Sequence, residues 1–371
     1  MDPSNGSVIV HKFGGSSLAD AACFRRVAGI IRARPEPRRA VVVSAMAGVT
    51  DALVRAVELA GERSDEYRAV LDELRHRHAR TITALVPMPS AEALLTALDA
   101  DLSDIADILH ATTLLRGYSR DALELVSGFG EVWAARTLAA HLAAEGVPAS
   151  WLDARDVLTV SSDGPVPAVA WDATRERLGV WLERASPAAM LVVTGFVAAT
   201  ADGRATTLGR NGSDFSASIF AALFDACEIH IWTDVDGVMS ANPRFVPDAI
   251  TLPALSYDEA MELAYFGAKV VHPSTMAPAV ERGLPIFIRN TFRPELPGTR
   301  IHVADSPEFG VKGLATVESV ALLNVEGTGM IGVPGMAQRL FGALRDEDVS
   351  VILISQASSE HSICFAVRES V

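Results

Sequence analysis

Short runs of apolar, often β-branched residues alternate with longer segments of helical apolar spacing through most of the chain. Residues 191–197 form an almost continuously apolar run, which is typical of a strand buried on both faces of a parallel sheet. Similar runs predict strands at 39–45, at 285–290, from Val8 onward and from Glu228 onward. The alternation of strands and helices therefore predicts an α/β domain, with a mostly parallel central sheet sandwiched by helices.

The segments between these strands have the spacing of amphipathic helices. Residues 65–109 and 171–185 show this pattern, and we expect them to cover the sheet without contributing to chemistry. The basic run at 75–80 lies within such a segment, where a charge run is usually a solvated helix face. Residues 256–269 predict one more helix, with Gly267 and Lys269 at its end.

The pattern changes at residue 319, after which shorter elements follow one another closely. A β-α-β-β order predicts a second, smaller α+β unit. We place the boundary between a domain of residues 1–305 and a domain of residues 306–371. The predicted elements of the second unit are a strand at 320–325, a helix at 335–344 and strands at 349–355 and 362–367.

Composition agrees with a globular protein. The chain has 371 residues, of which 49% are hydrophobic and 21% charged. No run of eighteen apolar residues exists, so we expect no membrane span, and residues 1–7 lack the features of a signal peptide, so we expect a cytoplasmic location. Cys23, Cys227 and Cys364 are widely spaced, which argues against a disulfide framework and against a metal site.

The formal net charge of −14 disfavours nucleic acid and anionic membranes as partners. Any anionic ligand must therefore be held by a local concentration of lysine, arginine and backbone N–H groups. Two stretches provide such a concentration of donors. They are residues 12–15 (KFGG), where Lys12 precedes a Gly-Gly turn, and residues 206–214 (TTLGRNGSD). In the second, we predict that Ser213 caps a helix whose N-terminus can bind a phosphate or a carboxylate. The alternative for this stretch is a glycine-rich turn with a surface arginine.

A third stretch, residues 228–238, is predicted to be a strand that ends in two carboxylates and a glycine turn. Ligands of open α/β sheets bind at the carboxyl ends of strands, so these polar groups indicate a binding site. An acidic turn that merely faces water is the alternative.

Together these motifs resemble one known family. KFGGSS, TTLGRNGSD, WTDVDGV, NPR and FGAKVVHP occur in the order found in aspartate kinases of the amino-acid kinase family, and most closely resemble the kinase portion of bifunctional aspartate kinase/homoserine dehydrogenases. The resemblance covers nearly the whole chain. It implies the amino-acid kinase fold and phosphorylation of the L-aspartate β-carboxylate by ATP with Mg²⁺, the first step of lysine, threonine and methionine biosynthesis.

The resemblance also assigns roles to individual residues. It implies that Arg210 grips the substrate α-carboxylate and that Glu131 pairs with the α-ammonium group, although an acidic residue at a helix start is also a favourable dipole partner. The remaining substrate residues are Ser44, Thr50 and Ser213; for Thr50 a plain helix cap is equally compatible with the spacing. The implied catalytic residues are Lys12, Asp214 (orienting Lys12) and Lys269, and the implied nucleotide-binding residues are Lys12, Gly14, Gly15, Ser16, Gly212, Thr233, Asp234, Asp236, Met239, Arg244 and Lys269.

Phosphoryl transfer to a carboxylate needs positioning and charge compensation but no general base, because a carboxylate is already ionised at neutral pH. This fits a chain in which we find no credible catalytic histidine. Two departures from the family pattern, Met239 in place of a tyrosine and Asn242 in place of an aspartate, put the affinity for ATP or the choice of nucleotide in question. A kinase for glutamate or N-acetylglutamate and a catalytically silent amino-acid sensor remain alternatives.

The second unit resembles an ACT domain, a module that binds small amino acids and dimerises by joining sheets. The sequence ends before the further helix and strand that such a domain needs, so we expect a partial ACT domain and hypothesise a longer natural chain. The resemblance implies that Gln356 contacts a threonine effector; threonine or lysine is the expected regulator, and a homodimer the expected assembly.

Overall fold

The computed structural model describes residues 8–34, 38–161, 167–185, 190–265, 273–303, 311–327, 333–356 and 362–371. Its helices are α1 Ala21–Arg32, α2 Val49–Gly61, α3 Tyr67–Leu85, α4 Ser90–Leu115, α5 Arg120–Ser127, α6 Phe129–Ala144, α7 Trp171–Arg184, α8 Gly212–Leu223, α9 Tyr257–Tyr265, α10 Pro273–Glu281 and α11 Met336–Asp346. Its strands are β1 Val8–Phe13, β2 Arg38–Val43, β3 Ala149–Leu152, β4 Val160–Ser161, β5 Ala168–Val169, β6 Met190–Thr194, β7 Val197–Ala199, β8 Ala205–Thr207, β9 Glu228–Thr233, β10 Ala254–Ser256, β11 Ile286–Asn290, β12 Thr299–His302, β13 Val320–Glu326, β14 Val351–Gln356 and β15 Ser362–Arg368.

An eight-stranded sheet forms the centre of the larger unit, in the order β10-β12-β11-β9-β1-β2-β6-β3. Neighbouring strands are parallel except for the antiparallel pair β11–β12. The prediction of a mostly parallel central sheet is therefore confirmed.

Helices cover both faces of this sheet, and the strand residues alternate between two apolar cores. In β2, Val41 and Val43 pack in one core, while Ala40 and Val42 pack in the other. This is the two-residue period of a strand, and it explains why β2 is apolar at four successive positions, 40–43. Because β1, β2, β6 and β9 are parallel, their carboxyl ends meet at one edge of the sheet.

Two predicted elements differ from those observed. The run at 191–197 is two strands, β6 and β7, because the chain turns at Gly195 and Phe196, where Phe196 has a φ of 68°. Strand β7 then pairs with β8 in a separate two-stranded sheet. The helical region 65–109 is divided between α3 and α4 by a break that contains Pro87 and Pro89.

The chain divides into two compact units, Met1–Leu314 and Ala315–Val371. In the second unit α11 packs on an antiparallel sheet of order β13-β15-β14, and the rings of Phe341 and Phe365 meet edge to face at 6.3 Å. The predicted β-α-β-β order is confirmed. The predicted boundary after residue 305 falls within 304–310, outside the described residues. None of the described helices is both long and apolar enough to traverse a bilayer.

Candidate active site

A cleft of about 540 Å³ opens at the carboxyl edge of the sheet. It is bounded by the loop after β2, the first turn of α6 and the segment that joins β8 to α8. The predicted site residues that line it are Gly15, Ser44, Thr50, Glu131, Arg210, Gly212 and Ser213. The tertiary structure thus brings every predicted substrate residue to one cavity.

Glu131 lies in the first turn of α6, and its side chain is buried. The helix approaches the loop after β2 closely at Gly130, where an added Cβ would lie 2.6 Å from the Cβ of Ala45. Burial raises the pKa of Glu131 to about 8, against the opposing effect of a hydrogen bond from the Ala45 amide and of the positive charges of Arg155 and Lys12. Among the described residues its Oε2 has no hydrogen-bond partner. The buried carboxyl group is therefore available to a cationic ligand in the cleft.

Arg210 lies in a tight loop between β8 and α8. Gly209 and Asn211, on either side of it, have positive φ angles of 72° and 57°, and the Gly212 N–H donates to the Gly209 carbonyl at 2.9 Å. Arg210 itself is exposed, and it has no ion-pair partner among the described residues. Its guanidinium group is free to bind an anion at the cleft.

Ser213 was expected to cap α8, and this expectation was wrong. The helix begins at Gly212, with Asn211 at the preceding position, and it has no side-chain cap. The reason is that the left-handed turn at Asn211 starts the helix two residues earlier than a cap at Ser213 would. The hydroxyl of Ser213 instead accepts a hydrogen bond from Ser44 at 2.8 Å, across the floor of the cleft.

Lys12 and Asp214 form a buried ion pair, with Nζ 2.6 Å from Oδ1. Lys12 lies on β1 and Asp214 in the first turn of α8, so the pair connects the glycine turn with the Arg210 segment. A Cβ added to Gly14 would lie 3.6 Å from Lys12 Nζ, and the Gly14 N–H donates to the Trp232 carbonyl at 3.2 Å. The lysine therefore sits beside the glycine turn, where it adds a full charge to the backbone donors.

The predicted nucleotide residues that follow β9 lie outside the lining of this cleft. Asp236 accepts a hydrogen bond from Asn290 at 2.6 Å and forms an ion pair with Arg293. These contacts hold the loop at Gly237, where an added Cβ would lie 2.4 Å from Thr299 Oγ1.

The other predicted nucleotide residues make local contacts. Thr233 hydrogen-bonds Asp234 at 3.1 Å, and Met239 Sδ accepts from Thr251 at 3.4 Å. Arg244 is exposed, and Ser16 lies in the short 3-10 helix after the glycine turn. Lys269 lies outside the described residues, so no geometry is assigned to it.

Phe196 also lines the cleft, although no sequence pattern selected it as a site residue. Its N–H donates to Ser216 Oγ at 2.9 Å, and its carbonyl accepts from Leu208 N–H at 2.7 Å. These bonds fix both ends of the Arg210 loop. A positive φ at a bulky residue costs about 1–3 kcal/mol and is concentrated at functional sites, but no sequence pattern announces it at a phenylalanine.

The chain is similar in sequence to known protein families. Residues 7–290 match the model of the amino acid kinase family, and residues 323–371 match an ACT domain. Bifunctional aspartokinase/homoserine dehydrogenase 1, chloroplastic, of Zea mays is 44% identical over 366 residues, covering 97% of this chain and 40% of that protein. Aspartokinase 1, chloroplastic, of Arabidopsis thaliana is 32% identical over 375 residues, covering 98% of this chain and 64% of that protein.

Among solved structures, E. coli aspartokinase III in complex with aspartate and ADP superimposes with a TM-score of 0.84 at 29% identity, covering 97% of this chain and 78% of that one. The chain spans about 40% of the length of the bifunctional plant relatives that it matches. Since the family model spans residues 7–290, which is most of the sequence, the chain belongs to the amino acid kinase family.

Proposed function

We propose that this chain is an aspartate kinase, which transfers the γ-phosphoryl group of ATP to the β-carboxylate of L-aspartate to give 4-phospho-L-aspartate and ADP. The observation that carries the proposal is that one cleft is lined by a buried Glu131, whose Oε2 has no hydrogen-bond partner among the described residues, and by an exposed Arg210. A carboxyl group and a guanidinium group at one cleft suit the α-ammonium and α-carboxylate of a free amino acid. The plant relatives named aspartokinase support the choice of acceptor.

Arg210 would hold the α-carboxylate through two parallel hydrogen bonds, a geometry that a lysine cannot reproduce. Glu131 would accept from the α-ammonium group. Ser44, Thr50 and Ser213 line the remainder of the cleft and would orient the side chain of the acceptor. This arrangement selects an α-amino acid whose amino group is free.

The reaction is an in-line attack by one β-carboxylate oxygen on the γ-phosphorus. The bond from the γ-phosphorus to the β,γ-bridging oxygen breaks, and ADP leaves with that electron pair. No proton has to be removed from the nucleophile. Lys12, with Lys269 and the N–H group of Gly15, would compensate the charge that spreads over the transferred phosphoryl group, and Asp214 would orient Lys12 through their 2.6 Å ion pair. The N–H group of Gly14, which was also expected to contact the phosphates, instead donates to the Trp232 carbonyl.

The nucleotide would be held by the glycine turn with Ser16, by Gly212 and by the segment after β9. That segment carries Thr233, Asp234, Asp236, Met239 and Arg244. The described residues contain no group of three acidic, histidine or cysteine side chains that could hold a metal ion. Mg²⁺ would therefore be carried by the phosphates of ATP, where it supplies further charge compensation.

A coupled assay of ADP release tests the proposal. We expect turnover with L-aspartate and Mg-ATP, and much less with L-glutamate or N-acetyl-L-glutamate. N-acetylation removes the ammonium group that Glu131 would bind, so equal rates with the acetylated acceptor would contradict the assignment. Binding of Mg-ATP without ADP release from any acceptor would instead indicate an amino-acid sensor.

Regulation and assembly are part of the same proposal. E. coli aspartokinase III has also been solved with lysine and aspartate, and it superimposes here with a TM-score of 0.81 at 28% identity, covering 97% of this chain and 79% of that one. We propose that threonine or lysine acts on the C-terminal unit through Gln356, that the chain forms a homodimer and that it works in the cytoplasm.

A further inference from the structure

The two side chains proposed to recognise the amino acid are carried by different parts of the fold. Glu131 belongs to α6, whereas Arg210 follows the β7–β8 hairpin, which forms a two-stranded sheet separate from the main one. The position of Arg210 relative to Glu131 therefore depends on the hydrogen bonds at Phe196 and on side-chain contacts between the hairpin and the helices.

The first contact is a buried hydrogen bond. Thr206 on β8 donates from Oγ1 to Glu124 Oε2 on α5 at 2.6 Å, across 82 residues of sequence. Thr206 is 3% exposed, and the Glu124 side chain is 13% exposed. The other carboxylate oxygen of Glu124 accepts from Arg120 Nε at 2.6 Å. Such a short bond from a hydroxyl to a carboxylate is stronger than a bond between neutral groups.

The second contact is close packing at the corner between α5 and α6. A Cβ added to Gly128 would lie 2.6 Å from Val197 Cγ1, so this corner rests directly on β7. Gly128 is three residues before Glu131. Helix α5 thus holds both strands of the hairpin, one through a hydrogen bond and one through packing.

Successive side chains of a strand point to opposite sides, so the contact that holds Thr206 also positions the neighbouring residue that faces the cleft. Thr206 points toward α5, and its neighbour Thr207 lines the cleft. Arg210 follows three residues later, and the intervening Leu208 is bonded to the Phe196 carbonyl. The segment from Thr206 to Arg210 is consequently short, and it is held in place at Thr206 and at Leu208.

We propose that Thr206 and Glu124 are positioning residues that set the separation between Arg210 and Glu131, and with it the affinity for the acceptor amino acid. The proposal rests on the proposed function of these two side chains. This role differs from a general stabilising role, because it predicts a change in the KM for the acceptor amino acid and no change in the KM for ATP.

The test compares Thr206→Val, which keeps the shape and removes the hydroxyl, with Thr206→Ser, which keeps the hydroxyl. We expect Thr206→Val to raise the KM for aspartate by about tenfold, with kcat and the KM for ATP nearly unchanged. Thr206→Ser and Glu124→Gln, which retain a donor and an acceptor respectively, should stay within about threefold of the parent. Equal increases in both KM values, or no change in either, would overturn the proposal.

The matched control is Arg204→Gln, which breaks the Arg204–Asp121 ion pair between the same hairpin and the same helix. Both side chains of that pair are more than half exposed, so its loss should leave every kinetic constant unchanged. An Arg204→Gln variant with the same KM defect as Thr206→Val would contradict a specific role for Thr206.

Amide hydrogen exchange separates this proposal from the proposed function. Thr206→Val should speed exchange at residues 205–213 without affecting the strands of the main sheet. If the parent protein has no activity with aspartate, faster exchange at 205–213 in Thr206→Val would still show that the bond between Thr206 and Glu124 holds the Arg210 segment in place. Unchanged exchange would refute this role. If Thr206→Val does not fold, Glu124→Ala removes the acceptor of the same bond and should show the same rise in the KM for aspartate; an unchanged KM in that variant would refute the proposal.

Discussion

Glu131 is a buried acidic residue, and its protonation state should govern the binding of the acceptor amino acid. Because burial raises its pKa to about 8, the group is largely neutral at pH 7 in the free protein. An α-ammonium group in the cleft favours the ionised form, so binding of aspartate must release a proton.

We therefore expect the KM for aspartate to fall as pH rises from 6.5 to 8.5, approaching tenfold per pH unit well below the pKa of Glu131. The KM for ATP should change little over the same range, which serves as the internal control. Glu131→Gln should bind aspartate weakly and without this pH dependence. A flat profile for the parent protein would contradict the role of Glu131.

The same pKa shift has a consequence for stability. The folded protein disfavours the ionised carboxyl, so the contribution of Glu131 to stability is greatest below its unfolded pKa and is lost as pH rises through about 8. Without ligand, Glu131→Gln should be more thermally stable than the parent protein, by a margin that grows between pH 5 and pH 8. Thermal unfolding at several pH values measures it, and a constant margin would contradict the argument.

Lys12 has two roles that a double variant can separate. Lys12→Ala should lower kcat by about 100-fold or more if the ammonium group stabilises the transferred phosphoryl. It should also lower the free energy of unfolding by about 3–5 kcal/mol, because Asp214 is left buried without its counter-charge.

In the double variant Lys12→Ala with Asp214→Asn, the uncompensated charge is removed. Stability should then largely return while kcat remains low, as measured by denaturant unfolding and the ADP-release assay. Recovery of both quantities would mean that Lys12 acts only through the structure.

Helix α6 is positioned by its close contact with the loop after β2. Gly130→Ala would introduce a Cβ 2.6 Å from the Cβ of Ala45 and 3.0 Å from Val49 Cγ1, and would push the helix and Glu131 away from the cleft. We expect a loss of about 1–3 kcal/mol in stability and a higher KM for aspartate.

Gly179 on α7 provides the matched control, because an added Cβ there meets no atom within 4 Å. Gly179→Ala should raise stability by about 0.5–1 kcal/mol without any kinetic effect. A Gly130→Ala variant that is as stable and as active as Gly179→Ala would show that the close approach has no role.

The molecule as a whole consists of two compact units, each with its own sheet. An effector bound to the smaller unit can change the activity of the larger only if it binds two states of the protein with different affinity. Gln356, the exposed last residue of β14, is the proposed effector contact.

If this contact exists, threonine or lysine should lower the initial rate of ADP release, and Gln356→Ala should abolish that effect. The rate without effector should be the same in the variant and the parent, since Gln356 belongs to the other unit. Equal inhibition of both proteins would exclude Gln356, and no response of the parent to either amino acid would exclude the effector proposal.

The sequence by itself determined the layered α/β architecture, because the burial of each strand depends on a local pattern of apolar residues that is visible in the sequence. In β2 every residue from Ala40 to Val43 is buried, as expected when helices cover both faces. The resemblance of the chain's motifs to those of aspartate kinases also selected Ser44, Thr50, Glu131, Arg210 and Ser213, which line the cleft.

Only the tertiary structure decided how those residues act. The left-handed turn at Phe196, the buried and neutral state of Glu131 and the bond between Thr206 and Glu124 arise from contacts between segments far apart in the chain. Local periodicity carries no information about such contacts. They depend on how closely two elements approach, and that distance is fixed only when the whole domain has packed.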